Sequence, residues 1–479
     1  MGMSEQTSER TTARSRHGRT IAVYALLVVA PVLLAIGLLV GGEDEGTSAT
    51  AVESVTGHPL AHLLLAIAVV VAACKLVGAL LQRIGQPPVI GEIAAGILLG
   101  PSALGAAWPE GAAALFPASV LPELNALAQV GVVLFVFLTG LELNTRLLRG
   151  KGHLAVVVSH VSIAVPFLLG VALAIVAYTR FAPEGIGFLA FALFFGVSLS
   201  VTALPVLVRI LQDVGLFRTE VGVVALTCAV VDDVTAWTLL AVVVALVTAS
   251  SLTGVVVTLV LAAVFIAFLL LVARPLLERV ARRTSESTLR KLAPLALVGV
   301  LLCAMSTEWI GVHAMFGAFM FGLVFPRDNA AESWLRQNTG GLTAAVLLPL
   351  FFAYSGLRTD IGLLTDVGLW LWCVAIVFVA VVGKLGGAAI AARSVGETWN
   401  RSLQIGTLMN CRGLTELVVL NVGLQLGVLS PTLFTMLVLM ALVSTAMAAP
   451  LAAWFARREG TLVEVPRQRR SSRLPVPRP

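Results

Sequence analysis

Charge is scarce in this chain. Asp, Glu, Lys and Arg supply 12% of its 479 residues and hydrophobic side chains supply 58%, whereas soluble domains carry about a quarter charged residues. An ordinary soluble domain is thereby excluded, and the composition is that of a polytopic membrane protein. Paired cysteines are also lacking. Cys74, Cys228, Cys303, Cys373 and Cys411 stand far apart in apolar runs with no Cys-x-x-Cys, so they read as small buried apolar groups rather than disulfides or zinc ligands. The six histidines are scattered and form no His-Glu-x-x-His, which removes the helical zinc-hydrolase pattern. Neither a cofactor site nor an enzymatic centre is read. The net charge of +6 does not point to nucleic acid, because the basic residues occupy short segments between apolar runs, where orientation in a bilayer explains them.

What is abundant is long hydrophobic runs. After a basic stretch over residues 1–19, read as disordered, an apolar run spans Thr20 to Val40 and an acidic linker (Glu43, Asp44, Glu45) leads to Pro59. That first run is either a retained helix or a signal sequence, and its length favours the helix. Further spans are expected at about 60–83, 87–105, 124–143, 154–178, 187–212, 219–249, 252–274, 290–307, 309–326, 340–357, 366–393, 401–427 and 431–456. A basic tail over 457–479 closes the chain and reads as disordered.

Basic residues test this layout. Of the 32 Lys and Arg, 27 lie in or at the edge of segments on the N-terminal side of the membrane. Arg180 and Arg358 lie on the other side, and Lys75, Lys384 and Arg412 fall within spans. The expected protein is an integral protein of the cell membrane with both termini cytoplasmic. The most basic inner loop, Arg274 to Lys291, divides the chain. Five spans before the 252–274 helix and five after the 290–307 helix form two sets of odd number, so the second is inverted relative to the first. Each set has a polar interruption in its fourth span. Ser198, Ser200, Thr202 and Pro205 break 187–212; Asn410, Arg412, Gly413, Thr415 and Glu416 break 401–427. Interrupted helices at matching places point to a midplane ion site, the alternative being two unrelated breaks stabilised by their neighbours.

Directly after the first interruption come Asp232 and Asp233, adjacent carboxylates within an apolar run. A charge at the bilayer centre costs about 2.5–3.5 kcal/mol on insertion scales, so such a group marks an ion or proton path by default. We expect a cation and protons to compete here; the plainer reading is a pair of partly protonated acids joining helices. Lys384 either snorkels to the surface or pairs with Asp232, which would link its proton to that carboxylate's occupancy. Arg412 and Glu416, four residues apart, form a local ion pair or neutralise opposing helix ends, the former favoured. Glu92 and Glu142 line an access funnel or serve as caps, and His313 reads as a packing residue.

Seven motifs in order resemble one family: Gln86-Pro87-Pro88-Val89-Ile90-Gly91-Glu92, Phe137-Leu138-Thr139-Gly140-Leu141-Glu142, Ser200-Val201-Thr202-Ala203-Leu204-Pro205-Val206-Leu207, Val231-Asp232-Asp233, Gly311-Val312-His313-Ala314-Met315-Phe316-Gly317-Ala318-Phe319, Gly383-Lys384 and Met409-Asn410-Cys411-Arg412-Gly413-Leu414-Thr415-Glu416-Leu417. Over about Leu60 to Trp454 the chain resembles the second branch of the monovalent cation:proton antiporter superfamily, which includes Kef-type and plant cation/H+ exchangers. The resemblance implies an all-α sodium/proton antiporter fold of about 13 core helices, to which the N-terminal run adds one. It implies a moving core (about 154–249 and 366–456), a dimer-forming scaffold (about 60–143 and 290–357), and a linking helix at 252–274. It also implies that Asp233 carries the cation and proton, that Asp232 pairs with Lys384, and that Thr202 belongs to the helix crossing. Kef-type systems usually have Gln where Asp232 stands, so this chain looks more like the two-aspartate exchangers. After Arg457 no Gly-x-Gly-x-x-Gly unit follows, and gating through a nucleotide-binding domain is not expected.

The expected function is therefore secondary exchange of Na+ or K+ for H+ by a homodimer in the lipid bilayer, without ATP. If Lys384 also takes a proton when the cation frees Asp232, more than one proton moves per ion and exchange is electrogenic. Two other classes compete. A cation channel uses similar acids but needs a continuous pore and ignores the proton gradient. An intramembrane aspartyl protease needs its two acids on separate helices, commonly in Gly-x-Gly-Asp, which is absent.

Overall fold

A computed structural model describes residues 59–142, 152–217, 219–248 and 252–459; the apolar run at Thr20–Val40, the acidic linker and most of the C-terminal tail lie outside them. The described residues are helical and contain no strand. In hydrocarbon every backbone amide must find its partner within the protein, and only helices or closed barrels achieve this along a whole span. The apolar runs form α1 (Pro59–Gln82), α2 (Pro88–Leu99), α3 (Val120–Glu142), α4 (Gly152–Phe181), α5 (Phe188–Ser200), α6 (Leu204–Val214), α7 (Glu220–Thr248) and α8 (Leu252–Phe268). A π turn at Leu269–Ala273 carries α8 into α9 (Arg274–Arg283), followed by α10 (Glu286–Ile310), α11 (Ala314–Val324) and α12 (Ala330–Leu342). A second π turn, Thr343–Leu347, joins α12 to α13 (Leu348–Leu357). The chain closes with α14 (Val367–Val381), a third π turn (Val382–Gly386), α15 (Gly387–Ser394), α16 (Trp399–Met409), α17 (Leu414–Gln425) and α18 (Pro431–Glu459).

Among the described residues, eleven helices are long and apolar enough to cross a bilayer. Burial differs sharply among them. An 18-residue apolar stretch of the interrupted span Phe188–Val214 is 78% buried, whereas that of Thr253–Arg283 is 6% buried, so the interrupted helix is enclosed by protein and the Thr253–Arg283 helix faces lipid. That order follows from backbone satisfaction, since broken helix ends are tolerated at membrane depth only inside protein.

The basic loop expected at Arg274–Lys291 is instead almost wholly helical, with only Thr284 and Ser285 between α9 and α10. Glu278 lies 3.0 Å from Arg274 and 3.2 Å from Arg282, each at four-residue spacing; such pairs and the strong helix propensity of Arg and Glu extend the helix beyond its apolar part. The span expected to start near residue 340 likewise starts at Ala330, where Asn329 caps α12 by accepting from the Glu332 amide at 2.9 Å.

Close helix contact determines where the enclosed span sits. Gly170 on α4 meets Gly196 on α5, and a Cβ built on Gly170 would stand 2.8 Å from the Gly196 Cα. Small residues permit such approach where lipid gives helices no hydrophobic drive to associate. Gly196→Leu is therefore expected to lower stability by about 1–3 kcal/mol, the usual cost of overpacking. Thermal unfolding of the purified protein in detergent would measure this, and Gly187→Ala, with nothing within 4 Å of its added methyl, should leave the midpoint unchanged.

Candidate functional site: the helix crossing and its two aspartates

The interruptions come together. Between α5 and α6 the residues Val201–Ala203 are non-helical, and between α16 and α17 the break runs from Asn410 to Gly413. Ala203 N donates to Cys411 O at 3.0 Å, and Thr202 Oγ1 lies 3.3 Å from Met409 O. Each break thus supplies partners for backbone groups that the other leaves without helical bonds. Pro205 lies in the first turn of α6, where its missing N–H costs nothing. Thr445 of α18 completes the second break, accepting from Arg412 N at 2.9 Å and donating to Arg412 O at 2.8 Å.

The C-terminal end of α5 carries partial negative charge on its last carbonyls. Two fully buried cations meet it. Arg412 donates to Ser198 O at 3.1 Å and Leu199 O at 2.7 Å, and Lys384 donates to Ser200 O. Arg412 also lies 3.3 Å from Glu416, itself in the first turn of α17. The pair and the helix-end contact, weighed as alternatives from sequence, coexist in one geometry. Asn410 Nδ2 reaches Ser444 O at 3.5 Å.

Lys384 sits in the π turn between α14 and α15 and is 0% exposed, so it does not snorkel. Its segment closes on α4: a Cβ on Gly383 would stand 3.1 Å from Pro166 Cα. Pro166 has no amide to give the Ser162 carbonyl four residues earlier, which loosens α4 beside the site.

The two aspartates face different surroundings, because successive side chains on a helix diverge by about 100°. Asp232 is saturated. Ser159 Oγ donates to Oδ1; Thr202 Oγ1 donates to Oδ2 at 2.7 Å; Ser162 Oγ lies 3.1 Å from Oδ2; Lys384 Nζ lies 3.1 Å from Oδ2. Asp233 is 1% exposed, yet its Oδ1 has no hydrogen-bond partner. It lines a small crevice with Pro205, Leu414 and Thr415, at the amide ends of α6 and α17, and with Trp237 one turn along α7. Phe135, Val136 and Thr139 of α3 close the other wall. Amide ends are the positive ends of helices, so they favour a carboxylate in this crevice, as Lys384 favours its neighbour.

Among the candidate residues, the structure unites Asp232, Lys384, Ser200 and Thr202 in one cluster and Arg412 with Glu416 beside it. Asp233 and Pro205 share the crevice. Glu92 lines neither; it is half-buried in α2 and its carbonyl accepts from Cys74 Sγ at 3.8 Å, and the side chain of Glu142 lies outside the described residues. Ser159, Ser162 and Thr139 escaped notice in the sequence. The two serines are spaced three apart in an apolar run, which puts them on one helix face, and that was their signal. Thr139 was visible only as part of a longer motif.

Crossed broken helices around a buried acid–lysine cluster, within an all-helical membrane domain, define a transporter architecture. A family profile described as sodium/hydrogen exchanger, transmembrane, matches residues 66–457. The chain belongs to the sodium/hydrogen exchanger family. It is 42% identical over 397 residues to the Na+/H+ antiporter NhaS4 of Synechocystis sp., covering 82% of this chain and 97% of that one. It is 38% identical to the cation/H+ antiporter 17 of Arabidopsis thaliana and 36% identical to the K+/H+ antiporter 1 of Saccharomyces cerevisiae, covering 48% and 46% of them. The chain thus spans nearly all of the cyanobacterial relative and about half the length of the plant and yeast ones. Its fold matches that of the sodium proton antiporter MjNhaP1 from Methanocaldococcus jannaschii, with a TM-score of 0.62 at 14% identity over 83% of this chain and 97% of that one.

Breaking a buried ion pair from one side leaves an uncompensated charge and costs about 3–5 kcal/mol, whereas replacing both partners is close to neutral. Asp232→Asn alone should accordingly lower the thermal midpoint steeply, and Asp232→Asn combined with Lys384→Met should recover most of it. Unfolding of the purified variants in detergent would separate the two cases; equal midpoints for single and double variants would contradict the pairing.

Proposed function

We propose that the protein is a secondary active antiporter, not an enzyme, which exchanges a monovalent cation (Na+ or K+) for protons at Asp233 by alternating access. One observation carries the reading: a buried carboxylate with an unpartnered oxygen lies in the crevice between α3 and the helix crossing. Asp232, with four side chains on its two oxygens, is the fixed member of the pair and Asp233 the exchangeable one. A cation that leaves water needs several oxygen ligands in place of its hydration shell. Asp233 Oδ1, the Thr415 hydroxyl and the Thr139 hydroxyl supply three. The Thr139 hydrogen goes to Phe135 O at 3.0 Å, which leaves its lone pairs for the ion.

Exchange is obligatory because the ionised, empty site cannot cross cheaply. Either a cation or a proton must neutralise it before the core (α4–α7 and α14–α18) shifts against the scaffold (α1–α3 and α10–α13). Thr139 belongs to the scaffold and Asp233 to the core, so the shift separates them and weakens the site on the opposite side. Lys384 is the second proton carrier: a cation beside Asp232 weakens the hold on its ammonium, and a proton leaving there makes exchange electrogenic. The protein works as a homodimer in the cell membrane with both termini in the cytoplasm: the distribution of basic residues supports that orientation, and the family resemblance supports the dimer and its scaffold interface.

In proteoliposomes, an imposed pH gradient should collapse when Na+ or K+ is added, and Asp233→Asn should abolish the response. Retained exchange in that variant, or cation flux indifferent to the gradient, would defeat the reading. Thr139→Val should raise the cation concentration for half-maximal exchange about fivefold, the equivalent of one lost polar contact; Thr139→Ser should restore it.

A further inference from the structure

Away from the crossing, a cavity of about 730 Å3 opens on the side of the molecule that carries the basic segments. The end of α3, the π turn after α8, α9, the end of α11 and the start of α12 enclose it. Its deep wall is apolar, formed by Leu141, Met320, Val324 and Phe325. Its upper wall carries Arg274, Arg282, Arg327 and Arg336, opposed by Glu278, Asp328 and Glu332.

The acids do not cancel the bases. Glu278 is engaged by two arginines at once, at 3.0 and 3.2 Å. Glu332 lies 3.0 Å from Arg336 and accepts the Asp328 amide at 2.6 Å. Arg327 makes no ion pair or hydrogen bond among the described residues; Glu332 and Asp328 act on it only at longer range. Burial, and the nearby guanidinia of Arg274 and Arg336, push its pKa below the usual arginine value despite those two acids. A half-buried guanidinium that no acid touches is an anion site, and its planar fork suits phosphate oxygens.

The surroundings say where that anion comes from. The cavity is bordered by Leu270, which is 44% exposed, and Leu271 beside it is 75% exposed on a span whose surface faces hydrocarbon. Charged heads above and open apolar surface below are the two halves of a lipid site. We infer that this cavity binds the phosphate headgroup of an anionic phospholipid, with Arg327 as the principal contact, Arg274 as the second, and the acyl chains lying along α8. The site lies outside the helix crossing and does not rest on the antiport reading.

The test uses the full chain in nanodiscs of phosphatidylcholine with or without phosphatidylglycerol, followed by native mass spectrometry of retained lipid and by thermal unfolding. Wild type should retain phosphatidylglycerol over phosphatidylcholine and unfold at a higher temperature in its presence. Arg327→Gln should weaken retention about fivefold, and the double variant with Arg274→Gln further, by roughly the contribution of a basic side chain near an anionic surface for each. Arg209→Gln, which removes an arginine from a separate pair with Asp213, should change nothing. Midpoints in pure phosphatidylcholine that match wild type show that the variants are folded. Equal retention by wild type and Arg327→Gln overturns the inference. So does stabilisation by glycerol phosphate in solution as strong as that by phosphatidylglycerol, which would mark a soluble phosphate site.

Discussion

The last carbonyls of α5 govern the arrangement of the whole transport region. A helix that stops in the middle of a membrane leaves its carbonyls without amide partners and its partial negative charge in a medium that cannot screen it. Here Ser198, Leu199 and Ser200 are met by Arg412 and Lys384. Each of those cations is itself tolerable only beside an acid, Glu416 for one and Asp232 for the other. The break, the two cations and the two acids therefore stand or fall together. Burial of so much charge is weak support for stability; its rationale is the site that it creates.

The same constraint divides labour between the adjacent aspartates. Once Asp232 is committed to Lys384, Thr202 and the serines of α4, its oxygens are spoken for. Asp233, one step along α7, turns towards the amide ends of α6 and α17 instead. One acid completes the framework; the other keeps an oxygen without a hydrogen bond, and in the proposed mechanism it is the one that exchanges a cation for a proton. Thr139 matters to that proposal because it reaches the crevice from outside the crossing. The inferred lipid site borders the long span over Thr253–Arg283, the least buried of those among the described residues.

Much of this was legible in the sequence because membrane insertion filters it so strongly. Apolar runs, polar interruptions and intramembrane charges stand out against a background in which each is costly. Asp232, Asp233, Lys384, Thr202 and Arg412 could all be named on that basis. Ser159 and Ser162 were not, because serine is cheap in a membrane helix and carries little signal by itself. The loop at Arg274–Lys291 was misjudged for the opposite reason: hydropathy falls there, yet Arg–Glu pairs continue the helix into water.

By itself the sequence determined the class of protein, the two interruptions, the adjacent acids and the lysine within a span, since each is a local departure from an apolar pattern. Only the tertiary structure decided what surrounds each acid: Asp232 has partners on both oxygens, whereas buried Asp233 keeps one oxygen without a hydrogen bond. The partners of Asp232 come from 30, 73 and 152 positions away in the chain, and the 100° turn between neighbouring helical residues assigns adjacent, chemically identical side chains to opposite surroundings. No local pattern contains that information, because it resides in the packing of α4, the π turn and both broken helices around α7.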